Sequence, residues 1–248
     1  MIGGARGDTA EGRRPLLIVT GLPQEARIAA GPGMTVICSS SDPTQLRSQL
    51  GDFDPQSVRG IISFGVAGGL DPALSTGDII VATEVVAEGV RWASAAGLSS
   101  ELIGDVSELS YRITRGILAG SEIVVPGQSG KAKLRSETNA AAVDMESHIA
   151  AAYATSVGLP FAAFRVISDP ASRALPEIAT TALRPDGRVD VWRVVRSIAR
   201  QPTVIPELVQ TARDFNRAIM TLRSCRRLLG GEGGSLLSGS GSLVTADL

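Results

Sequence analysis

The 248-residue chain is poor in the residues that most metal sites and nucleic-acid surfaces require. It contains one histidine, His148, and two cysteines, Cys38 and Cys225. A His-Glu-x-x-His metal helix and a zinc ribbon are therefore excluded, and no metal site or organic cofactor is expected. Two distant cysteines read as reduced thiols rather than a disulfide framework, which fits a cytoplasmic protein. Aromatic residues make up 4% and the net charge is −1, so neither stacking platforms nor a global basic footprint is available for DNA or RNA. No apolar run reaches 18 residues, and residues 1–14 lack the apolar core of a signal peptide. Three common fingerprints are also missing. There is no Gly-x-Gly-x-x-Gly after a strand and no phosphate-binding P-loop, and the near match to a nucleophile elbow at Gly127-Gln-Ser-Gly breaks at Lys131.

What is present is an ordinary soluble composition, 44% hydrophobic with 28 glycines. Short apolar runs alternate with helix-like stretches. Strands are expected at 15–20, 34–39, 58–64, 77–86, 140–143 and 161–167, with one or two more in 116–125. Helices are expected at 24–30, 44–50 and 145–157, the last stopped by Gly158-Leu-Pro160. This alternation predicts a single α/β domain over residues 15–229, with a central mixed sheet flanked by helices. Flexible segments are expected at 1–14 and 230–248, the latter rich in glycine and serine. Two helices close the domain. In Val189–Arg200 a valine and isoleucine face opposes Arg193, Arg196 and Arg200. In Pro206–Leu229 a stripe runs through Leu208, Ala212, Phe215, Ile219 and Leu222.

Glycine and acidic motifs sit at the strand ends: Gly21-Leu-Pro-Gln-Glu25, Gly65-Val-Ala-Gly-Gly-Leu70, Gly77-Asp-Ile-Ile80, Val143-Asp-Met-Glu146 and Arg165-Val-Ile-Ser-Asp169. In this order and spacing, over about residues 15–183, they resemble the purine nucleoside phosphorylase and methylthioadenosine/adenosylhomocysteine nucleosidase superfamily. The Gly-Leu-Pro-Gln-Glu opening and the arginine-rich C-terminal segment look most like hopanoid-associated phosphorylases, which act on adenosylhopane, a purine nucleoside carried on a hopane lipid.

The resemblance implies cleavage of an N-glycosidic bond with release of adenine. That chemistry needs an acid at the leaving purine, a grip on the ribose hydroxyls and a nucleophile beneath the anomeric carbon. Asp169, following a buried strand, matches the acid that protonates N7, with Ser168 orienting it; burial would keep its carboxyl protonated. Glu146 matches the residue that accepts from the ribose 2′- and 3′-hydroxyls, and Met145 would pack on the sugar. Ile123 and Val124 match the adenine site, Ile123 standing where the family usually has an aromatic ring. Each also has a plain structural reading: turn cap, helix-start acid, core methionine, strand end.

The acceptor is left open by the motifs. Glu25 stands where nucleosidases of the superfamily keep the carboxylate that activates water, whereas phosphorylases generally have an arginine. Val66 replaces the usual serine of the glycine loop, although the backbone of Val66, Ala67 and Gly68 could still cradle an anion. Arg27 and Arg91 are the candidate phosphate partners. The narrower resemblance places phosphorolysis, with phosphate as co-substrate, ahead of hydrolysis. A nucleoside-binding protein without turnover is a third reading, carried by Val66 and Ile123. The resemblance also implies a homo-oligomer. Residues 184–230 hold ten arginines against four acidic side chains, on a body of net negative charge. A lipid-linked substrate would bring this segment to the inner face of a membrane.

Overall fold

The computed structural model describes residues 14–104, 111–125, 127–174 and 205–226. The strands are β1 (Leu16–Thr20), β2 (Met34–Cys38), β3 (Ile61–Gly69), β4 (Ile79–Ala87), β5 (Val90–Ala93), β6 (Ile113–Gly120), β7 (Ala142–Asp144) and β8 (Phe161–Asp169). The helices are α1 (Pro23–Ala29), α2 (Pro43–Gly51), α3 (Ala96–Gly104), α4 (Gln128–Thr138), α5 (Ser147–Ser156) and α6 (Ile205–Ser224). All eight strands share one mixed sheet, ordered β2-β1-β3-β7-β6-β4-β5, with β8 pairing to both β3 and β4. Strands β3, β7, β6, β4 and β8 therefore form a closed circuit of neighbours, barrel-like, with β1 and β2 extending from one side.

The sheet is buried on both faces, and strict alternation along each strand decides which side chain goes where. Leu17 and Val19 of β1 join a core with Leu46 and Leu50 of α2 and Ile149 and Ala150 of α5. Leu16 and Ile18 point the other way, into a second core with Ile28 of α1, Leu98 of α3 and Ala218 and Leu222 of α6. Phe64 and Phe164 stack within that second core, ring centroids 5.6 Å apart. The expected α/β fold with helices on both faces of a mixed sheet is thus what forms.

Several local expectations need correcting. Strand β3 begins at Ile61 and continues through the glycine motif to Gly69, because β8 pairs with it along that length, through an irregularity between Ala67 and Gly68. Strand β6 starts at Ile113 and stops at Gly120; the Ser121 hydroxyl then donates to the Ile123 carbonyl at 2.6 Å, turning the chain out of the sheet. The stripe on α6 is rotated: Ala212 is exposed, while Asp214, Ala218 and Thr221 are buried beside Ile219 and Leu222. The helix expected at Val189–Arg200, residues 1–13 and residues 230–248 lie outside the described residues.

Phe164→Ala should cost about 3–5 kcal/mol of unfolding free energy, the usual range for a fully buried ring, as read from urea denaturation followed by circular dichroism.

Candidate active site

The carboxyl ends of the parallel strands β1, β3 and β8 lie side by side, and the end of antiparallel β7 joins them. A cavity of about 530 Å³ opens there, lined by Gly21, Leu22, Glu25, Val66–Gly68, Ile123–Val125, Val143–Glu146, Ser168 and Asp169, with Ser40–Pro43 at its rim. Motifs separated by up to 148 positions in the chain thus converge on one site.

Glu25 occupies the first turn of α1 and does more than cap it. Its Oε2 accepts from the backbone N–H groups of Gly21 (2.9 Å) and Leu22 (2.8 Å), and its Oε1 accepts from Val66 N–H at 2.8 Å, across on β3. Burial pushes this carboxyl up, against the opposing pull of Arg165 and the three backbone donors. Two glycines make the packing possible. A Cβ on Gly65 would lie 2.5 Å from both Glu25 Oε1 and Arg165 Nη1, and one on Gly21 would lie 2.4 Å from Glu146 Oε1.

Arg165, fully buried in β8, is the counter-charge of the group. Its Nε lies 2.5 Å from Asp144 Oδ2 and its Nη2 3.5 Å from Glu146 Oε2. The same Nη2 donates to the Ser63 hydroxyl at 2.6 Å. Asp144 is held further by the Ser147 N–H at 3.0 Å and by the Ser147 hydroxyl. Glu146 precedes α5; its Oε1 accepts from Ser39 Oγ at 3.4 Å, and the residue lines the cavity. Burial pushes the Glu146 carboxyl up to about 8, with Arg165 opposing and Asp144 and Glu25 adding to the rise.

Asp169 closes β8. Ser168 Oγ lies 2.7 Å from its Oδ1 and 3.2 Å from the carbonyl of Ala67. The Lys131 ammonium, from α4, reaches its Oδ2 at 2.5 Å. Burial raises the Asp169 carboxyl, and Lys131 and Ser168 pull it back. Along β3 the groups follow in sequence: Glu25 sits against Gly65 and Val66, Ser168 against Ala67, and Asp169 against Gly68.

The structure therefore brings together Glu25, Glu146, Met145, Ser168, Asp169, Ile123, Val124, Val66, Ala67 and Gly68. It does not bring in Arg27 or Arg91. Arg27 is exposed and donates to the Pro23 carbonyl of its own helix at 3.1 Å; Arg91 pairs with Glu84 at 2.5 Å across the β4–β5 hairpin. Ile123 is 73% exposed at the mouth. His148 belongs to a neighbouring cavity of about 690 Å³, where its Nε2 lies 3.3 Å from Glu122 Oε1. Two functional candidates escaped the sequence reading. Arg165 was visible only as a lone cation in an otherwise apolar strand, and Lys131 lies on a polar helix without an apolar stripe.

Residues 48–184 match the family described as the phosphorylase superfamily. The chain belongs to the phosphorylase superfamily. Solved structures with the superfamily's fold superpose on it. Campylobacter jejuni 5′-methylthioadenosine/S-adenosylhomocysteine nucleosidase does so with a TM-score of 0.63 at 15% identity, covering 87% of this chain and 98% of its own. Streptococcus pyogenes S-adenosylhomocysteine nucleosidase gives 0.59 at 18%, covering 66% and 86%. Helicobacter pylori futalosine hydrolase gives 0.56 at 19%, covering 63% and 88%. At these identities the likeness is one of fold. Family and fold together make the chain an enzyme of the nucleoside phosphorylase/nucleosidase type.

The raised Glu146 carboxyl has a consequence for stability. Between about pH 4.5, where the unfolded group ionises, and about pH 8, the folded protein keeps a proton the unfolded chain has lost, so stability falls as pH rises through that window. Glu146→Gln removes this contribution. The melting temperature of the variant, relative to the parent, should rise between about pH 5 and about pH 8, a comparison thermal unfolding at the two pH values makes directly.

Proposed function

We propose that the protein is a nucleosidase that cleaves the N-glycosidic bond of an adenosine-type nucleoside with water as acceptor, releasing adenine. The observation that carries the choice of acceptor is the make-up of the cavity lining. Its lining holds five carboxylate side chains, those of Glu25, Asp42, Asp144, Glu146 and Asp169, and among the described residues no lysine or arginine lines it. With no cation at the lining to receive it, a phosphate dianion finds few partners, and the backbone N–H of Val66 that could serve it already donates to Glu25. A water molecule has the opposite preference: a buried carboxylate with raised proton affinity is a better general base.

In this mechanism Glu146 accepts from the ribose diol and Met145 packs on the sugar. The bond from C1′ to N9 breaks as Asp169, oriented by Ser168, delivers a proton to N7. Glu25 takes a proton from the water that attacks C1′. Val124 and Ile123 flank the base. The 5′ substituent is proposed to be apolar and lipid-like, of the adenosylhopane kind. What supports it is the sequence resemblance, including the arginine-rich segment 184–230.

Asp169→Asn should lower kcat for adenine release on the order of 10²-fold or more while the circular dichroism spectrum stays that of the parent. Glu25→Gln should abolish turnover with substrate binding retained. The acceptor is tested by product: free ribosyl product at full rate in phosphate-free buffer is expected. A rate that saturates with added phosphate, yielding a ribose 1-phosphate derivative, would decide for phosphorolysis. Nucleoside binding without any adenine release would identify a binding protein instead.

A further inference from the structure

The chain carries 22 arginines and only two lysines, Lys131 and Lys133. Lys133 is exposed on α4, 3.9 Å from Glu137 one turn on. Lys131, two residues earlier, is 1% exposed, one of the largest fully buried side chains of the protein. Its Nζ lies 2.5 Å from Asp169 Oδ2, 3.0 Å from the Pro170 carbonyl, 3.2 Å from the Arg173 carbonyl and 3.5 Å from the Asp169 carbonyl. Burying an ammonium costs several kcal/mol unless every N–H finds an acceptor, and here three donors meet four oxygens. The contact is therefore a built one, tying α4 to the turn that follows β8.

Among the described residues the two fully buried cations are of different chemical kinds. Arg165 faces Asp144, Glu146 and Glu25, where a permanent charge is needed; a guanidinium keeps its proton at any physiological pH. The cation against Asp169 is an ammonium, which can give a proton up. In a chain that uses arginine eleven times as often as lysine, one of the two lysines is the cation in contact with the group that must donate a proton.

We infer that Lys131 and Asp169 act as one proton-holding pair, in which Lys131 supplies the proton that Asp169 passes to the departing purine. The inference rests on the nucleosidase reading above. Asp169 transfers a proton from its carboxyl to N7 as the C1′–N9 electron pair withdraws into the base. A proton moves from Lys131 Nζ to Asp169 Oδ2, leaving a neutral amine; after product release, water in the cavity returns a proton to the pair through Asp169, which lines it. Glu25 holds the proton taken from the attacking water and returns it to solvent, so the net change is nucleoside plus water to adenine plus free sugar. Lys131 reaches the substrate only through Asp169 and is in that sense a positioning residue. The other groups acting on Asp169 are Ser168 of β8 and Asp214 of α6; Asp214 is itself paired with Arg173 and accepts from Gln210 at 3.0 Å.

The test compares the parent with Lys131→Met and Lys131→Arg on adenosine and 5′-methylthioadenosine, following adenine release across pH, with circular dichroism and melting temperature checking the fold. Lys131→Met should lower kcat about 10²-fold with KM changed less than about threefold. Lys131→Arg, which keeps the charge and the donors, should show the same loss in kcat. Should the methionine variant fail to fold, the arginine variant decides. Either folded variant with kcat within about threefold of the parent overturns the inference, and in the arginine variant it assigns Lys131 a purely electrostatic role. A parent that releases adenine from neither nucleoside nor from an adenosine bearing a long 5′-alkyl chain overturns the nucleosidase reading and this inference with it, whereas an active parent with equally active variants overturns this inference alone.

Discussion

The site depends on one buried guanidinium. Arg165 lies within the β8 ladder with no exposure, and around it the cavity gathers carboxylates that would otherwise repel each other and the core. Asp144 and Glu146 contact it directly, and Glu25 lies within its electrostatic reach. A solvated cation could not do this, because water would screen the field and compete for the same oxygens. Held by Asp144 at Nε and by Ser63 at Nη2, the guanidinium is fixed in orientation before any ligand arrives. Removing it would leave several buried acids without compensation, a larger penalty than the loss of any one hydrogen bond.

The same economy explains the glycines. Gly21 and Gly65 are read most simply as turn residues, yet Gly65 lies inside a strand and neither is among the glycines with positive φ. Their role is spatial: a carboxylate oxygen or guanidinium nitrogen occupies the volume where a Cβ would project. Backbone and side chain thus share one set of constraints. The acid groups approach closely because the strands that face them carry no side chain at those points.

Much of this was legible in the sequence, and what was missed has physical causes. The strands β1, β2, β4, β7 and β8 announce themselves as short, near-continuous apolar runs, β1 and β8 being buried on both faces. Glu25, Glu146 and Asp169 stand out as acids at the ends of those runs. The extension of β3 through Gly65–Gly69 was hidden because glycine has poor strand propensity, and the pairing that stabilises it comes from a segment about 100 residues away. Helix α4 was invisible for a related reason. Its face toward the protein is anchored by an ion pair and by Leu134 rather than by an apolar stripe. Arg27 and Arg91, the candidate phosphate partners, are turned away from the site by the helix and the hairpin that carry them, a placement no local pattern reveals.

Consider finally the closed circuit of β3, β7, β6, β4 and β8. A strand in an open sheet can detach from one neighbour while the other holds it, but β8 is bound along both edges, to β3 and to β4. Opening it at Phe164–Val166 means breaking two ladders at once, which anchors the strand that ends in Asp169. The loops at Ser40–Pro43 and Ser121–Val125, which form the cavity's rim and mouth, carry no such obligation. Over evolutionary time such a division lets the loops exchange residues and acquire new substrates, while the strand ends beneath them keep the same acid in the same place.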